Sequence, residues 1–148
     1  MLLKLLTLVD AKNAFALLGN EKLPYKLSWM IQRAIRKVTS ELQEYEKINL
    51  ELCIKYGVEQ EPKGSGIWRL LPENNIVYQN EIKPILDEEV EIDINPIPLS
   101  LFDFAPNLEH PEVKYMVFPK VLLDLDWAFF NDEENVKKST TNKKENKE

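Results

Sequence analysis

Apolar and acidic residues alternate strictly from Glu89 to Ile94: Val90, Ile92 and Ile94 fall on one side, Glu89, Glu91 and Asp93 on the other. Side chains of a strand repeat every two residues, so this segment predicts a half-buried β-strand with a carboxylate-lined solvent face. Pro96 and Pro98 end it, because proline cannot donate to a sheet ladder.

A longer period governs residues 24–56. Ile31, Ile35, Val38, Leu42, Tyr45, Asn49, Leu52 and Tyr56 step by four and three, with Leu27 leading in. That is a heptad seam with one polar position, Asn49. Trp29, Met30, Ala34 and Ile48 widen the seam towards a globular face, opposite Lys26, Arg33, Arg36, Lys37, Glu44, Lys47, Glu51 and Lys55. Pro24 suits the first helical position and Gly57 the C-terminal stop. At about 1.5 Å per residue such a helix runs roughly 50 Å, whereas a compact chain of this size is roughly 40 Å across. Either the helix breaks near Val38-Thr39-Ser40, where propensity is weakest, or its C-terminal half (Tyr45, Asn49, Leu52, Tyr56) packs on something else, a second copy included.

The remaining pattern is shorter-ranged. Leu2–Thr7 reads as a strand, followed by a helix starting at Thr7 or Asp10 and ending near Gly19-Asn20, with Ala11, Ala14, Phe15 and Leu18 on one face. Residues 58–66 read as a polar loop, Ile67–Leu71 as a strand, and residues 72–75 as a turn. Residues 76–88 read as a helix with Ile82, Ile85 and Leu86 inward, interrupted by Pro84. A proline-punctuated connection over 99–111 leads to a last strand, Val113–Val117. Pro119 then opens a helix that buries Val121, Leu122, Leu125 and Phe129, with Trp127 a further candidate. From Asn131 to Glu148 Val136 is the one apolar residue, among five acids and five lysines. Such a segment cannot bury enough to offset the entropy of ordering. The expectation is an α+β fold: one domain over residues 1–130, a small mostly antiparallel sheet packed against one long helix and two or three shorter helices, and a disordered charged tail over 131–148.

Composition narrows function mainly by exclusion. The chain has 148 residues and a formal charge of −6, from 25 acids against 19 Lys and Arg. This balance lacks the basic footprint of a general nucleic-acid binder. The lone Cys53 excludes an internal disulfide, reads as a small hydrophobe on its helix, and no Cys/His cluster suits zinc. The apolar start at Met1–Val9 is interrupted by Lys4 and followed by Asp10 and Lys12, which reads as a first strand and not as an export signal. No apolar run approaches the roughly 20 residues that span a membrane, so a soluble, cytoplasmic protein is expected.

Candidate chemistry is thin. His110 is the sole histidine and stands in a loop before Pro111, with Glu109 and Glu112 as neighbours; a solvated side chain is the simpler reading. Lys63-Gly64-Ser65-Gly66 lacks the length and following Lys-Ser/Thr of a phosphate loop. Asp124 and Asp126 diverge on a helix and read as helix-start charge. Ten acids against Lys83 alone lie between Glu73 and Glu112. On Glu89, Glu91 and Asp93 the carboxylates recur at about 6–7 Å, which suits a basic partner, although charges on an edge strand also simply prevent edge-to-edge pairing. A divalent ion there would lack a third ligand.

Three passages, Leu6–Lys12 (LTLVDAK), Glu89–Ser100 and Leu122–Trp127 (LLDLDW), resemble a family of short uncharacterised proteins encoded by tailed bacteriophages and prophages of low-GC bacteria. The resemblance implies a phage gene product acting in the infected cell or in the particle, and brings no catalytic residues with it. The function expected is therefore a non-enzymatic accessory protein. It would bind a host or phage protein, and could inhibit a host system, through the acidic surface of Glu89, Glu91 and Asp93. The alternative is a minor virion or assembly component that self-associates through Tyr45, Asn49, Leu52 and Tyr56. No cofactor, metal or catalytic residue is expected, nor membrane or direct nucleic-acid binding. The location would be the host cytoplasm, or the virion under the alternative.

Overall fold

The computed structural model describes residues 1–132. Its elements run β1 (Leu2–Lys4), α1 (Leu5–Gly19), α2 (Tyr25–Tyr56), β2 (Gly57–Glu59), β3 (Trp68–Leu70), α3 (Asn75–Leu86), β4 (Glu89–Glu91), β5 (Ile97–Pro98), α4 (Pro119–Asp124) and β6 (Phe129–Phe130), with short 3-10 turns at Pro72–Asn74 and Leu99–Phe102. The class is α+β, with one long helix and three shorter ones. The strands form three separate two-stranded pairs, two antiparallel and one parallel, in place of a single sheet. The chain divides into two compact units, Met1–Asp10 with Lys37–Asp93, and Ala11–Arg36 with the chain from Ile94 on.

In the first unit β1 and β4 pair with Leu2 opposite Glu91, Leu3 opposite Val90 and Lys4 opposite Glu89. Leu5 N–H donates to Glu88 O and Ile92 N–H to Met1 O, both at 2.9 Å, lengthening the ribbon at each end. The strand is shorter than its alternation suggested, ending at Glu91, but the burial pattern continues past it: Val90 is half-buried, Ile92 buried, and Glu89, Glu91 and Asp93 exposed, with Ile94, the next residue, half-buried. Leu5, Leu8, Val38, Leu42, Ile82 and Ile92 are this unit's buried apolar residues. Gly57 does not merely stop α2, because it opens β2 where the backbone is crowded. A Cβ there would lie 2.5 Å from both Cys53 O and Arg69 O. The hairpin loop is pinned by Glu59, whose Oε1 accepts from Gly64 N–H at 2.9 Å and Gly66 N–H at 3.3 Å.

In the second unit the buried residues are Ala11, Ala14, Phe15, Leu18, Leu27, Ile31, Ala34, Ile97, Phe102, Val121, Leu125 and Ala128. Ile97 N–H donates to Ala128 O at 2.8 Å, seating the parallel pair β5–β6. Aromatic rings fill the gaps left by so little regular structure. Phe15 meets Trp127 edge-on, Phe102 meets Phe129 edge-on, and Tyr115 stacks between Phe102 and Phe104 at 6.2 and 4.9 Å.

Several local expectations change. α1 begins at Leu5 because Leu5 and Leu8 carry the period of Ala11, Phe15 and Leu18 back one more turn, cutting β1 short. α2 runs unbroken through Val38-Thr39-Ser40, where Val38 is fully buried and Thr39 half-buried. Packing there outweighs weak propensity. Trp29 leaves the buried face: two residues from both Leu27 and Ile31, it points about 200° away from each, and it is exposed. Residues 57–59 form a strand in place of the start of a loop.

The region 113–117 forms no strand; its alternation finds no ladder beyond Tyr115 N–H to Phe104 O at 2.8 Å. α4 ends at Asp124, leaving Leu122 exposed and Phe129 in β6. Asp124 and Asp126 therefore lie at and beyond the C-terminal end of that helix, not at its start. The disorder expected of 131–148 falls, after Asp132, outside the described residues.

Candidate interaction surface

Antiparallel pairing fixes the geometry of the acidic strand. With bonds at Leu5–Glu88 and Met1–Ile92, the alternate pairs Leu2–Glu91 and Lys4–Glu89 are non-hydrogen-bonded. Their backbone groups turn to the outer edges of the ribbon, and their side chains share its solvent face. Compensation is partial. The Met1 ammonium pairs with Glu91, Lys4 Nζ lies 3.6 Å from Asp87, and Lys37 Nζ donates to the Asp93 carbonyl oxygen. The carboxylates of Glu89 and Asp93 have no cation partner among the described residues.

The other candidate positions lie on the C-terminal half of α2. Tyr45, Asn49, Leu52 and Tyr56 are each half-buried. Tyr78 Oη on α3 donates to Asn49 Oδ1, so the polar seam residue has an acceptor role inside its own unit. Tyr56 O accepts from Asn74 Nδ2 at 3.0 Å and Leu71 N–H at 3.3 Å, which ties the helix end to the turn before α3. Burial, with Cys53 close by, raises the Tyr45 and Tyr78 phenols above their usual range. Lys55 reaches both the Tyr56 ring (4.9 Å) and Glu81 (3.6 Å). Spaced by four, three and four, these residues share one face of α2.

His110 Nδ1 lies 3.2 Å from Glu112 Oε1, both side chains being exposed. Among the described residues no group of three or more His, Cys, Asp or Glu is placed to hold a metal. No helix among them is long and apolar enough to cross a membrane. The second unit does carry a feature that sequence reasoning missed, an open groove of about 270 Å³ between α1 and α4. It is lined by Asn13, Ala14, Leu17, Phe118, Lys120, Val121 and Asp124, with Leu17 and Phe118 largely exposed. Its lining is apolar apart from Asn13, Lys120 and Asp124. The one advance signal was Leu17, an apolar residue off the Ala11–Leu18 face. Comparison with protein-family models, curated proteins and solved structures finds no match.

Proposed function

We propose that the protein is a non-enzymatic phage or prophage accessory factor that works by binding another protein, of host or phage origin. The observation that carries this reading is the acidic strand. Glu89 and Glu91 stand on the solvent face of a two-stranded ribbon, Asp93 follows two residues on and is exposed, and two of the three carboxylates are uncompensated. Exposed like charges spaced at about 6–7 Å raise the local potential and favour a partner with matching basic residues. Such a surface would let the protein inhibit a host system by occupying a basic site. The resemblance to phage proteins in the same strand supports the setting, an infected host cell.

Affinity capture tests it. The tagged chain and its Glu89→Lys/Asp93→Lys variant are incubated with lysate of an infected or prophage-bearing low-GC host, and the retained proteins are identified by mass spectrometry. The reading requires a defined partner held by the wild type and lost by the variant. Equal retention by both would mean that the acidic strand is not the binding surface, and recovery of the protein only in purified particles would favour the virion alternative.

A further inference from the structure

From Lys22 to Ser40 the chain carries five cations, Lys22, Lys26, Arg33, Arg36 and Lys37, and no acid, within a protein whose net charge is −6. Five residues of this stretch, Tyr25, Lys26, Trp29, Arg33 and Arg36, lie on the first part of α2 inside one compact unit, and all are exposed. Tyr25, Trp29, Arg33 and Arg36 step by four, four and three, so they form a single ridge of roughly 16 Å. The ridge faces away from buried Leu27, Ile31 and Ala34.

Two features set this ridge apart from an ordinary solvated helix face. Tyr25 is 89% and Trp29 54% exposed, so neither ring is serving the unit's core. The Arg33 guanidinium carbon lies 4.8 Å from the Trp29 ring centroid. That stacking restrains the guanidinium while leaving its in-plane N–H donors available. None of Lys22, Lys26, Arg33 and Arg36 makes an ion pair among the described residues. Tyr, Trp and Arg are the residue types that dominate binding energy at protein interfaces, and here they are adjacent.

We propose that this ridge docks a short acidic segment of a partner protein, with carboxylates on Arg33, Arg36 and Lys26 and an apolar side chain against Tyr25 and Trp29. Charge selects the occupant. A helix stretch with four exposed cations and no acid between Lys22 and Ser40 favours an anionic partner, and paired guanidinium–carboxylate contacts are the strong form of that attraction. A long polyanion such as nucleic acid would extend beyond the ridge and meet the remainder of a strongly acidic chain. A short acidic segment does not. The inference is independent of the acidic strand, since it uses other residues and a partner of opposite charge.

Fluorescence anisotropy tests it on the full chain. The probe is a fluorescein-labelled peptide of about 14 residues made of glutamate, aspartate and leucine, long enough to cover the ridge. The wild type should bind it, and more weakly as salt rises. Arg33→Glu with Arg36→Glu should weaken binding about tenfold or more, Trp29→Ala severalfold, and Lys120→Glu, on α4 and not a member of the ridge, not at all. Because the altered side chains are exposed, thermal melts should coincide with wild type. Should the double variant misfold, Trp29→Ala and the salt dependence read the same surface. The proposal is overturned if the wild type fails to bind the peptide, or if Lys120→Glu is as damaging as the ridge variants. Tighter binding of an oligothymidylate than of the peptide would also overturn it.

Discussion

Replacing Gly57 by alanine should destabilise the protein, against the usual sign for such a change. Where the backbone tolerates it, Gly→Ala stabilises by about 0.4–1 kcal/mol by restricting the unfolded chain. At Gly57 the new Cβ would stand 2.5 Å from two backbone oxygens, Cys53 O in the last turn of α2 and Arg69 O on β3. Carbon–oxygen contacts in proteins settle near 3.3–3.6 Å, so each overlap is about 0.8 Å or more. Neither oxygen belongs to a flexible side chain, so relief requires the helix end to open or β3 to move away. Both motions strain the two bonds that converge on Tyr56 O, from Leu71 N–H and Asn74 Nδ2. Overpacking of this kind costs about 1–3 kcal/mol, and a weakened hydrogen bond adds about 1 kcal/mol. A total of about 2–4 kcal/mol is a large share of a stability of roughly 5–15 kcal/mol. It corresponds to a fall in Tm of roughly 5–15 °C for a chain of this length. Thermal and urea melts followed by circular dichroism measure it, with Gly64→Ala as the comparison. At Gly64 no atom lies within 4 Å of the added Cβ, and the strain comes from φ of +89° alone, in an exposed loop. A Gly57→Ala protein that melts at or above wild type, or a larger loss from Gly64→Ala, would refute the crowding argument.

Other consequences are simpler to state. Ile92→Asp buries a charge at a site only 4% exposed and should unfold the first unit, at a cost of several kcal/mol, whereas Glu91→Gln should melt close to wild type. Tyr78→Phe removes the donor to Asn49 Oδ1 and should lower stability by about 0.5–1.5 kcal/mol in urea; an unchanged midpoint would mean that water replaces the phenol without loss. Asp132 accepts from Ser100 N–H and Oγ–H, and these bonds hold its carboxyl below the usual carboxylate range. The folded-state pKa is the depressed one, so the stabilising contribution is present above the ordinary carboxylate value and is lost as pH falls through the folded value. Carbon-detected NMR titration should find the Asp132 carboxyl returned towards its ordinary pKa in Ser100→Ala.

The long-range patterns were legible because many positions had to agree. All eight seam residues of α2 are buried or half-buried, and the alternation of β4 puts each carboxylate outside. Short segments were not legible in the same way. A strand of two or three residues exists only through its partner, so nothing local distinguished Ile97–Pro98, which pairs with Phe129–Phe130, from Val113–Val117, which pairs with no strand. Pro98 even counts against a strand by local rules, yet the ladder bond belongs to Ile97. Leu5 and Leu8 fitted either period over so few residues, and α1's buried Ala11–Leu18 face decided between them. Of the candidate surface, the acidic strand was readable from its charges, whereas the groove at Leu17 and Phe118 depends on how α4 meets α1. The Tyr25–Trp29–Arg33 ridge was obscured by assigning Trp29 to the buried face.

Photo-crosslinking in host lysate asks whether the acidic face that β4 begins meets another protein. A benzoylphenylalanine is placed at Asp93 in one chain and, as control, at exposed Glu73 in another. Asp93 should give a discrete adduct with a protein other than this chain, absent at Glu73 and suppressed by excess unlabelled wild type but not by Glu89→Lys/Asp93→Lys. No adduct from Asp93, equal adducts from both positions, or an adduct made only of two copies of this chain would contradict it.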